Sequence, residues 1–368
     1  MPVVKFIKKN TVLCIAAFVA TITCFLVPPD KAYLEYFDWS TLACLFLTLS
    51  VICAFRNIKF FNIVARKLVL FTGNLRSLFF MLIIITFIGS MIIANDMALI
   101  TFLPLGYFAV SVAKQEKYVP YLFILQNISA NLGGMLTPFG NPQNLYLYSY
   151  FKIPTFEFCS IMLPPFVLAV TLLCICCLIV KPIKLEISQK FPEKLNIKRT
   201  LLYSALFLFS ILIVFRIIPF FIGLIVVTMV LFMVDREALL MVDYSLLGTF
   251  FFFFIFAGNL ARIDAVNSLL SNLLQKDTLI VSVLSCQGIS NVPSAILLSR
   301  FTKNYKALLM GVNIGGTGTL IASLASLITF NEHRILYPGH TKRYLLLFTL
   351  INALFLIIMT LVARFVYL

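Results

Sequence analysis

Asn95 and Asp96 stand side by side in the stretch ANDMALITFLP, residues 94–104, in the middle of an apolar run. Asp96 is the only acidic residue inside such a run away from its ends. A carboxylate in apolar surroundings is costly unless it has a partner, so it could hold a cation while ionised or carry a proton. A purely structural alternative is that Asp96 caps the helix that follows, accepting N–H groups of its first turn.

The composition shows what surrounds these residues. The chain has 368 residues, of which 61% are hydrophobic and 12% are charged, and its mean hydropathy is +1.04. Apolar stretches close to the ~20 residues that cross a bilayer occur at 11–27, 39–56, 158–180, 200–215, 217–234, 243–259 and 344–366. We therefore predict an all-α polytopic membrane protein and exclude an ordinary soluble domain.

The net charge of +15 comes from basic residues in short loops, not from one basic face, so we expect no nucleic-acid partner. With a cytoplasmic N-terminus, the inner segments hold 20 of the 29 basic residues, as the positive-inside rule expects. Those segments are 1–10, 56–76, 113–117, 181–199, 235–242 and 331–343. This topology places the C-terminus outside a bacterial-type plasma membrane. His333 and His340 fall in the last inner segment and are expected to be solvated or interfacial.

Three motifs recur in the same order in both halves of the chain. The pairs are DWSTL (38–42) with DYSLL (243–247), ANDMALI (94–100) with SNVPSAI (290–296), and NLGGMLTPFGNPQNL (131–145) with NIGGTGTLIASLASL (313–327). Such self-similarity indicates a duplicated architecture. We predict two inverted repeats, 1–180 and 200–368, joined by a basic cytoplasmic linker at 181–199.

Each repeat is predicted to contain a re-entrant hairpin and a discontinuous transmembrane helix. The hairpin at 278–301 has arms of ~12 residues that reach only ~18 Å, short of the ~30 Å hydrocarbon core. Its counterpart at 77–112 has longer arms that could also cross twice. Glycine and proline break the helices at 118–150 and 305–330. Asn141 and Thr319 are the predicted N-caps after the two breaks, with Pro142 at the first helical position.

The tips and breaks supply chemistry for both anions and cations. Half-helix N-termini attract anions, whereas unwound carbonyls and asparagine oxygens suit small cations. The predicted cation-binding residues are Asn95, Asp96, Asn131, Gly133, Gly134, Asn291, Asn313, Gly315 and Gly316. The predicted substrate-binding residues are Asn95, Asp96, Thr137, Asn141, Asn144, Ser290, Asn291, Pro293, Ser294, Thr317 and Thr319. We expect a secondary transporter with Na⁺ or H⁺ as the coupling ion and no other cofactor. An intramembrane enzyme is the competing class, but the apolar runs hold no histidine and one acid.

These motifs resemble the ion transporter superfamily, which includes arsenite permeases, NhaD-type sodium/proton antiporters, citrate–metal transporters and divalent anion/sodium symporters. NDMALITFLP is similar to the Asn-Asp-x-Ala…Pro signature of the first hairpin, SNVP to the second hairpin, and GGMLTPFGNPQN to the Gly-Gly…Thr-Pro…Asn break. The resemblance implies an elevator-type transporter, usually a homodimer, with cations held between hairpin and broken helix.

Both tips differ from the Ser-Asn-Thr of the dicarboxylate/sodium branch, since they are Ala94-Asn95-Asp96 and Ser290-Asn291-Val292. The substrate therefore stays open between a di- or tricarboxylate and an inorganic oxyanion. A Na⁺/H⁺ antiporter and an arsenite-type efflux permease are the alternatives on the same scaffold.

Overall fold

A computed structural model describes residues 10–69, 71–184 and 195–367. The described part of the chain is nearly all helical and contains no β-strand. Within it, seven helices are long and apolar enough to cross a membrane, and Thr11–Leu26 and Phe220–Val234 are shorter apolar helices. These findings confirm the predicted all-α polytopic membrane protein. The basic residues at 1–9 and the centre of the predicted linker, 185–194, lie outside the described residues.

The helices are numbered in chain order. The first half holds α1 (Thr11–Leu26), α2 (Trp39–Asn57), α3 (Phe60–Val69), α4 (Leu75–Ile93), α5 (Asn95–Val112), α6 (Val119–Gly133), α7 (Pro142–Tyr150) and α8 (Thr155–Leu178). The second half holds α9 (Ile197–Val214), α10 (Phe220–Val234), α11 (Arg236–Leu240), α12 (Tyr244–Ala261), α13 (Asp264–Ile289), α14 (Asn291–Leu298), α15 (Tyr305–Ile314), α16 (Leu324–Leu336) and α17 (Thr341–Val362).

The first repeated motif, DWSTL and DYSLL, is a helix cap. The Asp38 carboxylate accepts the N–H of Thr41 at 3.0 Å at the start of α2. The Asp243 carboxylate accepts the N–H of Leu246 at 3.0 Å at the start of α12. The sequence repeat therefore corresponds to the same local interaction, which satisfies one of the unpaired donors of a helix N-terminus.

Contacts between helices of the first and second halves occur in pairs. In each pair, the second contact is the first one with the two halves exchanged. Helix α1 packs against α12, and α2 packs against α10. Closer to the breaks, α5 packs against α16, and α14 packs against α7. Two interlocked units related by a two-fold axis would produce this pattern, because each contact then recurs with the halves exchanged.

The two hairpins differ in the length of their arms. Helices α4 and α5 have 19 and 18 residues, and each is long enough to cross a membrane. In the second hairpin, Asp277 has non-helical backbone angles and divides α13, so one arm is 278–289 and the other is the eight-residue α14. An eight-residue helix rises only ~12 Å, far less than a crossing. The re-entrant character of 77–112 stays a prediction.

Of the two predicted N-caps after the breaks, the position of Asn141 is confirmed and that of Thr319 is corrected. Asn141 occupies the N-cap position of α7, but its Oδ1 accepts no capping hydrogen bond, and its amide group donates to Asn313. The cap of the second broken helix is Ser323, whose hydroxyl accepts the N–H of Ser326 at 3.2 Å, so α16 begins five residues after Thr319.

The predicted solvation of His333 is also wrong. Helix α16 continues to Leu336, and His333 is only 1% exposed. Its ring stacks on Tyr344 with 3.9 Å between ring centroids. The packing of α16 against α5, α6 and α17 buries this helical turn, which the local sequence does not reveal.

Contacts between loops join segments that the predicted topology assigns to the same side. At the predicted inner side, the Asn57 amide donates to the Asp235 carboxylate at 2.9 Å. At the predicted outer side, Arg262 forms an ion pair with Asp30 at 2.6 Å. Hydrogen bonding to this guanidinium holds the pKa of Asp30 below its usual range. Which side faces the cytoplasm stays a prediction.

Candidate functional site

The two hairpin tips share an unusual backbone conformation. Ala94, between α4 and α5, has φ 62° and ψ 154°, and Ser290, between α13 and α14, has φ 73° and ψ 160°. A positive φ is uncommon for residues other than glycine and persists where the surrounding structure fixes it. After each, an asparagine Oδ1 accepts the next N–H at 2.9 Å, from Asp96 in one tip and Val292 in the other. The repeated tips are therefore built in the same way.

Each tip is bonded to a helix break. The Asn95 amide donates to Oδ1 of Asn131 at 3.2 Å, just before the break between α6 and α7. The backbone N–H of Asn291 donates to the carbonyl of Ala322 at 3.0 Å, near the end of the break between α15 and α16. A Cβ added to Gly316 would lie 3.1 Å from Nδ2 of Asn291 and 3.7 Å from Oδ1 of Asn131. Gly316 thus marks the point where the second tip approaches the first break.

A buried cluster of side-chain amides joins the two breaks. Asn141 and Gln143 donate to Oδ1 of Asn313 at 3.2 and 3.4 Å, and Asn313 donates to Oδ1 of Asn144 at 2.6 Å. All four residues are at most 1% exposed. Asn313 is therefore held by three side chains from the start of α7, although they are about 170 positions away in the chain.

The amide network extends beyond the predicted residues. The Asn131 amide donates to the carbonyl and Oδ1 of Asn127 at 3.2 and 3.4 Å. Asn127 in turn donates to Ser326 at 3.3 Å and to Asn352 at 3.5 Å. Sequence reasoning missed Gln143, Asn127, Ser326 and Asn352. The signal for Asn127 was its spacing of four from Asn131, which places both on one helix face.

Three buried oxygens in this region have no hydrogen-bond partner among the described residues: Asp96 Oδ1, Asn141 Oδ1 and Gln143 Oε1. An unpaired buried acceptor costs about 1–3 kcal/mol, more when it is charged. A proton, a cation or a donor group of a substrate would satisfy such oxygens. The N-cap position of α5 belongs to Ala94, and Oδ1 of Asp96 accepts no hydrogen bond from the first turn, so the structural alternative for this residue is not supported.

The family resemblance implies a cation at the helix breaks, but the carbonyl oxygens of the first break do not fit this role. In the first half, the Asn144 amide donates to the carbonyls of Gly134, Met135 and Thr137 at 3.1, 3.2 and 3.3 Å. Hard cations need several free oxygen ligands. These three oxygens instead already accept hydrogen bonds from the protein.

Some predicted residues lie near this region but use their side chains locally. The Ser294 hydroxyl pairs with Ser285 at 2.9 Å inside the second hairpin, and the Thr317 hydroxyl donates to the carbonyl of Ile314 at 2.7 Å. Pro293 is buried in α14 and offers no polar side-chain atom. Gly133 and Gly315 are instead packing positions, since an added Cβ would lie 2.3 Å from the Phe87 carbonyl or 2.8 Å from the Cys286 sulfur.

The helical fold and the buried amide network between two broken helices are typical of multi-pass membrane transporters. The sequence model of the citrate transporter family (CitMHS) matches residues 4–310, so the chain belongs to this family. An archaeal protein named as an uncharacterized transporter, from Methanocaldococcus jannaschii, is 33% identical over 89% of this chain and 90% of its own length. Inner membrane protein YbiR of Escherichia coli is 29% identical over 86% of this chain and 87% of its own length.

Proposed function

We propose that this protein is a secondary active transporter that carries a small anion together with protons, with Asp96 as the coupling residue. The observation that carries the proposal is a buried amide network that joins the first hairpin tip to both helix breaks, together with the bond from the Asn291 backbone N–H that ties the second tip to the second break. A substrate bound there would contact both inverted repeats at once. Such a site at the interface of two repeats is the arrangement expected for alternating access.

The anion specificity follows from the donors around the tips. Helices α5 and α14 begin at the tips, so the positive ends of their dipoles lie there, although the N–H groups of Asp96, Asn291 and Val292 already donate within the protein. Helix N-termini and amide donors bind carboxylates and oxyanions without a basic side chain. A di- or tricarboxylate is the proposed substrate class, with an inorganic oxyanion as the second class, and the family description supports the former.

Protons fit the coupling role better than sodium ions do. One unpartnered carboxylate oxygen, Oδ1 of Asp96, is enough to bind a proton. A sodium ion would need several oxygens, but the carbonyls of the first break accept hydrogen bonds from Asn144. A buried ionised carboxylate is costly in an apolar segment, so protonation of Asp96 would lower the cost of moving the site across the membrane.

The remaining expectations belong to the same proposal. The two inverted repeats, the re-entrant hairpins and a homodimer would serve an elevator motion of hairpins and broken helices. The proposal also includes a plasma-membrane location, with the N-terminus in the cytoplasm and the C-terminus outside. The accessibility of a C-terminal tag in intact cells tests this orientation.

Uptake into proteoliposomes tests the function. Labelled succinate, citrate, sulfate and arsenite are offered under an imposed pH or Na⁺ gradient, with Asp96→Asn alongside the wild type. We expect one anion to accumulate with the pH gradient and the variant to lose that accumulation. Accumulation that follows only the Na⁺ gradient would show that the coupling ion is Na⁺ and not H⁺. Na⁺/H⁺ exchange without transport of any anion would overturn the proposal in favour of an antiporter.

A further inference from the structure

Gln287 occupies an unusual position at the second break. Its side-chain Nε2 lies 2.9 Å from the carbonyl oxygen of Gly315, 3.1 Å from that of Thr317 and 3.1 Å from that of Val283. Three carbonyl oxygens from two different segments thus converge on one nitrogen atom. Converging carbonyls are the ligands with which unwound transporter helices coordinate a cation.

The orientation of the Gln287 amide is fixed by its other atom. Its Oε1 accepts the backbone N–H of Thr319 at 2.9 Å. A reversed amide would direct an oxygen at three carbonyls and an NH₂ group at a backbone N–H, so only one orientation satisfies the neighbours. Gly318, with φ 111°, packs directly on this amide, because an added Cβ would lie 2.3 Å from Oε1. The loop 315–319 is therefore folded around the Gln287 side chain.

The first half has no counterpart of this side chain. Gln287 precedes the tip residue Asn291 by four positions, and Met91 precedes Asn95 by four positions. Methionine has no N–H to donate. The carbonyls of the first break are bonded by Asn144, which belongs to the broken helix itself. Only in the second half does a hairpin side chain close the break.

We propose that the Gln287 amide takes the place of a cation in the second half-site, so that the second hairpin and its break stay joined without a bound ion. This inference differs from the cation site that the family resemblance implies there, because the carbonyls that would bind the cation are already hydrogen-bonded. It rests on the proposed function only in placing the site within a transporter. Coupling then belongs to the first half, which has Asp96 where the second has Val292.

Thermal unfolding of the purified full-length protein tests this inference without any transport assay. Melting temperatures are compared in NaCl, KCl and choline chloride, in the Asp96→Asn background so that ions at the first half-site do not contribute. With Gln287 intact, we expect the same melting temperature in all three salts. Gln287→Glu should gain a saturable rise of roughly 2–4 °C in NaCl only, because a carboxylate among three carbonyls forms a hard-oxygen site.

The second variant is Gln287→Met, which gives the second half the residue type that the first half has at Met91. It should lower the melting temperature because three carbonyls lose their donor, and NaCl should restore part of the loss more effectively than KCl. A Na⁺-specific stabilisation with Gln287 intact that is lost in Gln287→Met would overturn the inference. It would also be overturned if neither variant acquired any Na⁺ dependence. A protein that transports nothing would contradict the proposed function but would leave these melting experiments valid.

Discussion

The Thr137 hydroxyl donates a hydrogen bond to the carbonyl oxygen of Met91 at 2.9 Å, and so ties the first helix break to the first hairpin. The second half contains the same bond, from the Thr319 hydroxyl to the carbonyl of Gln287 at 3.2 Å. In each case the acceptor lies four residues before the tip asparagine. The aligned threonines therefore have one structural role, which is to hold an unwound segment against a hairpin arm. That role differs from the capping predicted for Thr319 and from direct substrate contact.

Replacing Asp96 should separate coupling from substrate binding. Asp96→Asn cannot release a proton, so we expect uptake driven by a pH gradient to fall at least roughly tenfold, whereas exchange of internal for external substrate continues. Proteoliposome uptake and counterflow measure the two activities. Asp30→Asn, at an exposed ion pair away from the site, is the control and should retain both. Unchanged gradient-driven uptake by Asp96→Asn would remove this residue from the coupling step.

Asn313 should contribute strongly to stability. Asn313→Ala removes one hydrogen-bond partner from each of the buried side chains of Asn141, Gln143 and Asn144, so we expect the free energy of unfolding to fall by about 2–4 kcal/mol. Thermal or denaturant unfolding in detergent measures the loss. Asn267→Ala removes an asparagine that is exposed and bonded within its own segment, and it should change stability little. Equal effects of the two substitutions would mean that the amide cluster contributes no more to the free energy of unfolding than an exposed asparagine does.

Gly134 should not tolerate a side chain. A Cβ at this position would lie 2.3 Å from Oδ1 of Asn141 and 2.9 Å from the carbonyl of Gly140, so Gly134→Ala must displace the amide cluster. We expect substrate uptake to be lost or to require a much higher substrate concentration. Gly288→Ala is the matched control, because a Cβ there meets nothing within 4 Å. Full uptake by Gly134→Ala would show that the break can shift without consequence.

His333 should make stability depend on pH. Burial, with a smaller contribution from the charge of His340, lowers the pKa of His333 to about 4, below its ordinary value of 6.5. Between these values the unfolded chain binds a proton that the folded protein does not, so stability should fall as the pH drops from about 6.5 to about 4. Melting temperatures across this range measure the slope.

His333→Phe is the variant for this prediction. Phenylalanine keeps the ring against Tyr344, and neither imidazole nitrogen has a partner among the described residues, so we expect the variant to fold and its pH slope to be smaller. His340→Phe, in the short turn before α17, is the control and should change the slope much less, because the charge of His340 makes only the smaller contribution to the pKa of His333. A slope unaffected by His333→Phe would assign the pH dependence to other groups.

Much of the fold could be predicted from the sequence because the membrane imposes simple local rules. The length of the apolar runs fixes where spanning helices occur, and glycine and proline fix where they break. The repeated DWSTL and DYSLL motifs correspond to equivalent caps because capping depends on a few neighbouring residues. Asn95, Asn131 and Asn313 could be singled out because amides are rare in apolar segments.

The tertiary structure decided what those polar groups contact. No local pattern in the sequence pairs Asn141 with Asn313. No motif includes Gln287, whose role depends on the carbonyls of Gly315 and Thr317, which tertiary folding brings to 2.9 and 3.1 Å from its Nε2. The burial of His333 likewise depends on helices far away in the chain. The helices and their breaks could be predicted from the order of residues alone, because both follow from short-range chemistry. The packing of the two halves fixes which oxygens are bonded and which stay unpartnered, because the bonds of the amide network join residues as far apart as 172 and 225 positions.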